Sequence, residues 1–293
     1  MALYPEARKA VAEEADAAKV SDPGYDIAGS RAEARAAGLA AEKEPVAEVR
    51  DVDADGVPAR LYLPEGYAGV VVHAHGGGFV FHDIEVHDAA VRRLADRSRM
   101  AVLSVDYRRP PEHRFPAAPD DVTAALDWVV AQPEFAGMPV FTHGDSAGGN
   151  LALVAALRRP GVLAGTVLIY PFLDPTASFD SYRTATDGFD PAEAAWYWEQ
   201  YASRVEDLRD PDLAPLLSDR LGELPPTLVL TAEHDPLRDE GEELARRIAE
   251  AGVPVVATRA LGQIHGFWRH VDVFPAAEPA TRQVAGWLRQ HAD

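Results

Sequence analysis

THGDSAGGN, residues 142–150, sets a serine among glycines directly after an apolar run, MPVFTH, and directly before a helical pattern, NLALVAALRR. Gly144-Asp145-Ser146-Ala147-Gly148 fits G-x-S-x-G in the strand-then-helix context that gives the pattern meaning. The glycines permit a sharp turn, and the turn lifts the serine side chain out of the fold. The helix that follows brings unpaired backbone N–H groups to the same place. Ser146 is therefore the candidate nucleophile, and the N–H of the next residue, Ala147, a candidate donor to an oxyanion. The plain alternative is a Gly/Ser turn ahead of an ordinary helix.

Outward from this turn, strands and helices alternate. GVVVHAH, AVLSVDY, GTVLIYP and TLVLTA are continuously apolar, as buried parallel strands are, and MPVFTH and VPVVATRA read the same way. Between them lie helical patterns such as HDAAVRRLADRS, PDDVTAALDWVVAQ and EGEELARRIAEAG. VAEVRDVD and PARLYLP alternate apolar with polar residues and form a hairpin turning near Asp55-Gly56. The expectation is an α/β fold with a mostly parallel, eight-stranded sheet and helices on both faces. Residues 1–44, two helical segments around SDPGYD, and residues 172–222, rich in Asp, Pro and aromatics, stand outside that rhythm. A connection as long as the second carries structure of its own. The two are expected to form a helical cap over a core of residues 45–171 and 223–293.

The second glycine-rich stretch is HAHGGGFVFH, residues 73–82, at the end of an apolar run. Three glycines in a row are costly unless the backbone must approach something closely. A serine attacking a carbonyl creates an oxyanion, and a backbone without side chains can aim N–H groups at it. Gly76 and Gly77 are the expected donors beside Ala147, with Gly78 shaping the loop and His75 pinning it. A phosphate loop would need Gly-Lys-Ser/Thr or G-x-G-x-x-G, and no lysine follows residue 43. His73 and His75 share a strand face, yet no third ligand has convincing spacing, so neither metal nor cofactor is expected.

A nucleophilic serine needs a base, and the base an orienting carboxylate; in this fold type they follow in the order Ser, acid, His. EHDPLRDEG follows TLVLTA, and Asp235 lies in the turn just past the strand. Asp239 and Glu240 fall at the start of the next helix, where acids suit the dipole. LGQIHGFW follows VPVVATRA, and its His265 is the candidate general base. His270 is the rival, placed at the start of the last helix. His113, His143 and His234 are read as structural.

The net charge of −19 repels phosphate backbones and anionic membranes, which argues against nucleic-acid or membrane partners. Cysteine is absent, which removes disulfides and thiolate nucleophiles. The first twenty residues are charged throughout and no run reaches the length of a membrane span, so a cytoplasmic protein is expected.

Together, HGGGF (75–79), DYRRPPEHRFPAAPDD (106–121), GDSAGGN (144–150), DPLRDEG (235–241) and IHGF (264–267) resemble the hormone-sensitive lipase family of α/β-hydrolase carboxylesterases, in the family's order. The resemblance implies a Ser146–Asp235–His265 triad, an oxyanion hole of Gly76, Gly77 and Ala147, a cap, and a homodimer. The implied activity is a serine carboxylesterase acting on small to medium acyl esters. An amidase, lactonase or deacetylase would use the same machinery, and a ligand receptor on an inactive hydrolase fold would lack a triad member. His82 stands where relatives often carry a small residue, and the segment after the nucleophile helix, ALRRPGVLAG, is short. The crowded charges of DYRRPPEHRFP read as a structural network. Trp196, Tyr197, Trp198 and Tyr201 either line an acyl pocket or pack the core, positions 197 and 201 sharing a helix face.

Overall fold

Alternation at the N-terminal side and continuous apolarity further on resolve into one sheet. The computed structural model describes residues 2–15 and 17–292. Its strands are β1 (Glu48–Asp53), β2 (Pro58–Leu63), β3 (Val70–Ala74), β4 (Ala101–Val105), β5 (Val140–Asp145), β6 (Gly165–Ile169), β7 (Thr227–His234) and β8 (Val255–Ile264). Their order across the sheet is β1-β2-β4-β3-β5-β6-β7-β8. β2 pairs antiparallel with β1 and β4, and the remaining pairs are parallel. Asp55 (φ 59°) and Gly56 (φ 87°) close the β1–β2 hairpin with two left-handed residues, the conformation a tight hairpin turn demands.

The helices are α1 (Pro5–Glu14), α2 (Ile27–Ala40), α3 (Ile84–Ser98), α4 (Ala117–Ala131), α5 (Ala147–Arg158), α6 (Ser181–Thr184), α7 (Pro191–Tyr201), α8 (Arg238–Glu250) and α9 (Ala277–Gln290). Apolar faces of α4, α5 and α8 (Leu126, Leu151, Ile248) build one core layer with the sheet. α3 and α9 (Leu94, Leu288) build the other, against Phe141 and Ile169. β3, β4, β5 and β6 are buried along their whole length because both faces are covered. Truncating one such side chain, for example the fully buried Leu103, to alanine costs about 2–5 kcal/mol.

β8 departs from its sequence reading. It is the last strand of the sheet, paired only with β7, and Val256 and Leu261 are exposed; burial is complete only at Gly262–Ile264. An apolar run of this kind does not by itself distinguish an edge strand from a central one.

Between β6 and β7 the chain leaves the sheet for α6, α7 and short 3₁₀ turns. Asn150, in the first turn of α5, donates its amide to the carbonyls of Phe172 and Leu213, both at 2.9 Å, and so ties two points of that excursion to α5. The N-terminal helices are tied down as well. Lys19 pairs with Asp190, and Arg31 donates to the Val80 carbonyl and to Glu112, both at 2.8 Å. Arg108 grips Asp121 at 2.7 Å, and Arg114 donates to the carbonyls of Glu199 and Ala202 at 2.9 Å, so DYRRPPEHRFP is a structural brace. No helix among the described residues is long and apolar enough to cross a membrane.

Candidate active site

The β5–α5 junction places Ser146 at φ 56°, ψ −122°, a strained conformation for a non-glycine residue. The surroundings over-determine it. Ser146 N–H donates to Ile169 O at 2.9 Å, and Ser146 O accepts from Gly149 N at 2.9 Å and Phe172 N at 3.1 Å. The flanking glycines are required by contact: a Cβ on Gly148 would lie 2.0 Å from Ala74 O, and one on Gly144 would lie 2.1 Å from Gly148 O. Strand, elbow and β3 could not pack this closely with any side chain between them.

Three side chains far apart in sequence meet at this elbow. Ser146 Oγ is 2.9 Å from His265 Nε2, and His265 Nδ1 is 2.7 Å from Asp235 Oδ2. Asp235 is fully buried, and its other oxygen accepts from Leu237 N at 2.9 Å, which fixes the carboxylate plane. His265 follows the last residue of β8, and Gly266 (φ 82°) turns the chain away after it. Its imidazole lies against Tyr170, with ring centroids 4.6 Å apart, and stacks on Phe189 at 5.3 Å. His270 is not in the last helix; it precedes α9 by seven residues, at the end of the 3₁₀ turn Phe267–Arg269.

The glycine loop corrects one expectation. Gly76 N–H donates to Asp145 Oδ1 at 3.0 Å, so it is committed inside the protein and is not free for an oxyanion. A Cβ on Gly76 would fall 2.5 Å from the same carboxylate. The cavity beside Ser146 is lined instead by Gly77 (φ 119°) and Gly78 (φ 59°). Among the described residues no acceptor takes the N–H of Gly77, Gly78 or Ala147. His75 sits under this loop: its Nδ1 is 2.9 Å from Gly76 O, its ring stacks on Tyr107 at 4.2 Å, and Tyr107 Oη donates to His75 O at 2.8 Å.

Behind the loop lies a group of histidines read as separate residues in the sequence. His73 Nδ1 is 2.9 Å from His143 Nδ1, and His87 Nε2 is 3.2 Å from Asp145 Oδ1. Burial lowers the pKa of each imidazole, to about 4 for His143 and about 3 for His75, with direction alone for His73, His82 and His87. Burial opposes ionisation of Asp145, but His87 and Arg269 outweigh it and hold that carboxyl well below its usual range. Among the described residues no group of three His, Asp or Glu side chains is arranged to hold a metal ion.

The cavity over Ser146 has a volume of about 260 Å³. Val20 and Tyr25 from the N-terminal segment and Phe172, Phe189 and Tyr197 from the β6–β7 excursion are among its apolar lining, and His82, Asp145 and Arg269 among its polar lining. The four aromatics of α7 divide. Tyr197 lines the cavity, whereas Tyr201 stacks on Phe79 at 3.8 Å and Trp198 packs in the core beside Phe172 at 4.3 Å. Sequence reasoning did not assign Asp145, Phe189 or Arg269 to the site. Asp145 lay within the quoted motif; the other two carried no signal of their own.

Residues 71–269 match the model of a family described by its alpha/beta hydrolase fold. The chain belongs to the alpha/beta hydrolase family. Within it the chain groups with the carboxylesterases its motifs resemble, those of the hormone-sensitive lipase type. It is 38% identical over 255 residues to the carboxylesterase NlhH of Mycobacterium tuberculosis, covering 80% of this chain and 79% of that one. It is 34% identical to the ethyl acetate hydrolase of Pseudomonas putida, covering 87% and 86%. Among solved structures, the Pyrobaculum calidifontis esterase superposes with a TM-score of 0.90 at 36% identity over 99% of both chains.

Proposed function

We propose that this chain is a serine carboxylesterase that cleaves small to medium acyl esters through Ser146, His265 and Asp235. The observation that carries the reading is the hydrogen-bonded row Ser146 Oγ–His265–Asp235 opening onto a cavity walled by free glycine N–H groups. His265 Nε2 removes the proton from Ser146 Oγ as that oxygen attacks the ester carbonyl. The carbonyl oxygen becomes an oxyanion held by the N–H groups of Gly77, Gly78 and Ala147, which are already oriented before the reaction. His265 then gives its proton to the leaving alcohol. Water, deprotonated by the same imidazole, attacks the acyl carbonyl and frees Ser146. Asp235 keeps Nδ1 engaged so that Nε2 faces the serine throughout.

The cavity supports the substrate size: about 260 Å³ corresponds to roughly nine waters at liquid density, enough for an ester group and a short acyl chain. Residues 1–44 and 172–222 act as the cap in this reading, since Val20, Tyr25, Phe189 and Tyr197 close the cavity from above the sheet. The homodimer implied by the family would use the open edge of β8, where Val256 is exposed. The test is hydrolysis of p-nitrophenyl esters from acetyl to long acyl chains by the wild type and Ser146→Ala. Activity that peaks at short or medium chains and vanishes in the variant supports the reading. An enzyme inert toward every ester refutes it, and labelling of Ser146 by a fluorophosphonate would then point to an amide or lactone substrate.

A further inference from the structure

Three half-buried arginines in this chain show how such a group is satisfied by carboxylates. Arg60, with 14% of its side chain exposed, holds Asp51 and Glu85; Arg97, at 19%, holds Glu44 and Glu278; Arg158, at 18%, holds Asp120 and Asp212. Arg269 is buried to the same degree, 15% exposed, and is treated differently. Its approach to an acid is Nε to Asp145 Oδ2 at 4.0 Å, beyond hydrogen-bond range, and Asp145 already accepts from Gly76 and contacts His87. Among the described residues no acceptor lies within hydrogen-bond reach of its guanidinium. In a protein with 47 acidic residues against 28 basic ones, such a vacancy is not a shortage of partners.

Its position explains what the vacancy is for. Arg269 comes four residues after His265, on the 3₁₀ turn that leaves the base, and lines the same cavity as Ser146. His82 lines the cavity too, and among the described residues its buried Nδ1 has no partner. Phe172, Phe189 and Tyr197 line the same cavity and are aromatic. The lining therefore combines apolar rings with an unsatisfied planar donor fork. Carboxylate is the group that such a fork fits bidentately.

We propose that Arg269, with His82 beside it, recognises a free carboxylate on the substrate, so that the preferred substrates are half-esters of short dicarboxylic acids. The inference rests on the esterase reading above. One ester bond of the diacid is cleaved at Ser146 while its free carboxylate sits on the guanidinium; a short diacid is also what about 260 Å³ admits.

The test compares monomethyl glutarate, its neutral analogue with an amide in place of the carboxylate, and methyl valerate, following methanol release. The expected wild-type kcat/KM for the half-ester exceeds that for the amide by about tenfold or more, the scale of one charged hydrogen bond. Arg269→Gln should remove that preference, lowering kcat/KM for the half-ester about tenfold more than for methyl valerate; Arg269→Lys, which keeps the charge without the fork, should fall between. A wild type that prefers the neutral esters overturns the proposal. So does an Arg269→Gln variant that lowers all three rates equally, which would make Arg269 only a counter-charge for Asp145. Should Arg269→Gln fail to fold, calorimetric binding of monomethyl glutarate against methyl valerate to Ser146→Ala decides it: tighter binding of the half-ester supports the proposal, equal binding overturns it. An enzyme inert to all three esters strikes instead at the esterase reading, and the half-ester titration still reports on Arg269.

Discussion

Asp145→Ala tests how the glycine loop is held for catalysis. Asp145 precedes the nucleophile, is buried, and accepts the Gly76 N–H at 3.0 Å while facing His87 Nε2 at 3.2 Å. Hydrogen bonds to a charged partner contribute about 1.5–3 kcal/mol each, so losing both costs about 3–6 kcal/mol of stability. The kinetic effect is separate. With Gly76 released, the next two N–H groups lose their anchor, and a displacement near 1 Å at reacting groups lowers the rate about 100-fold. The loss should appear in kcat, with KM changed only a few-fold, because the donors act on charge that develops in the transition state. Asp145→Asn keeps an oxygen for Gly76 and should lose less than about tenfold. The assay is steady-state hydrolysis of p-nitrophenyl acetate normalised to active sites counted by phosphonate titration, with near-UV circular dichroism to verify the fold. A folded Asp145→Ala enzyme with kcat within about threefold of wild type would show that the loop is positioned without this carboxylate, and the reasoning fails.

Other expectations follow from the same geometry. Gly78→Ala would set a Cβ 2.2 Å from the Tyr197 ring at φ 59°, so activity toward p-nitrophenyl acetate should fall by more than about tenfold, with partial recovery in Gly78→Ala/Tyr197→Ala because the left-handed strain remains. Full recovery would mean that the loop tolerates the alanine backbone and only the ring objects. The buried histidines should make the protein acid-labile. Their folded pKa values lie below 6.5, so their contribution is present above that pH and is lost as pH falls toward about 4 for His143 and about 3 for His75. Each histidine that stays neutral in the fold and protonates on unfolding adds a slope of about 1.4 kcal/mol per pH unit. Urea denaturation at pH 7.5, 6.5 and 5.5 should show stability dropping at an increasing rate; a flat profile would mean that the imidazoles protonate in place.

The legible part of this structure was whatever depends on local pattern. β3, β4, β5 and β6 announced themselves because burial on both faces keeps each run mostly apolar, and the few polar residues within them are themselves buried. Ser146, Asp235 and His265 were named because each stands at a strand end beside a turn residue, and the structure brings them into hydrogen-bond reach. What was misread or left open depends on neighbours remote in sequence. Three consecutive glycines look alike, and the pair left free is fixed by a carboxylate 69 residues away. Tyr197 and Tyr201 share a helical face, yet one meets the cavity and the other meets Phe79. VPVVATRA is apolar enough for a core strand, and its place at the sheet's edge is a property of the whole topology.

The groups proposed to make and break bonds and the cavity walls come from different stretches of chain. Ser146, Asp235, His265 and the glycine loop hang from β5, β7, β8 and β3, whereas Val20, Tyr25, Phe189 and Tyr197 come from segments outside the sheet. The two sets of residues are inherited together but constrained differently. A change in the outer segments alters which molecules are admitted while the serine keeps its reactivity, so a lineage can drift through many diets on one unchanged piece of chemistry. Phe189 and Tyr197 are exceptions, since Phe189 both lines the cavity and stacks on His265, and Tyr197 lines it and packs against Gly78. Variation there is felt on both sides at once, which makes them positions where appetite and turnover cannot be inherited separately.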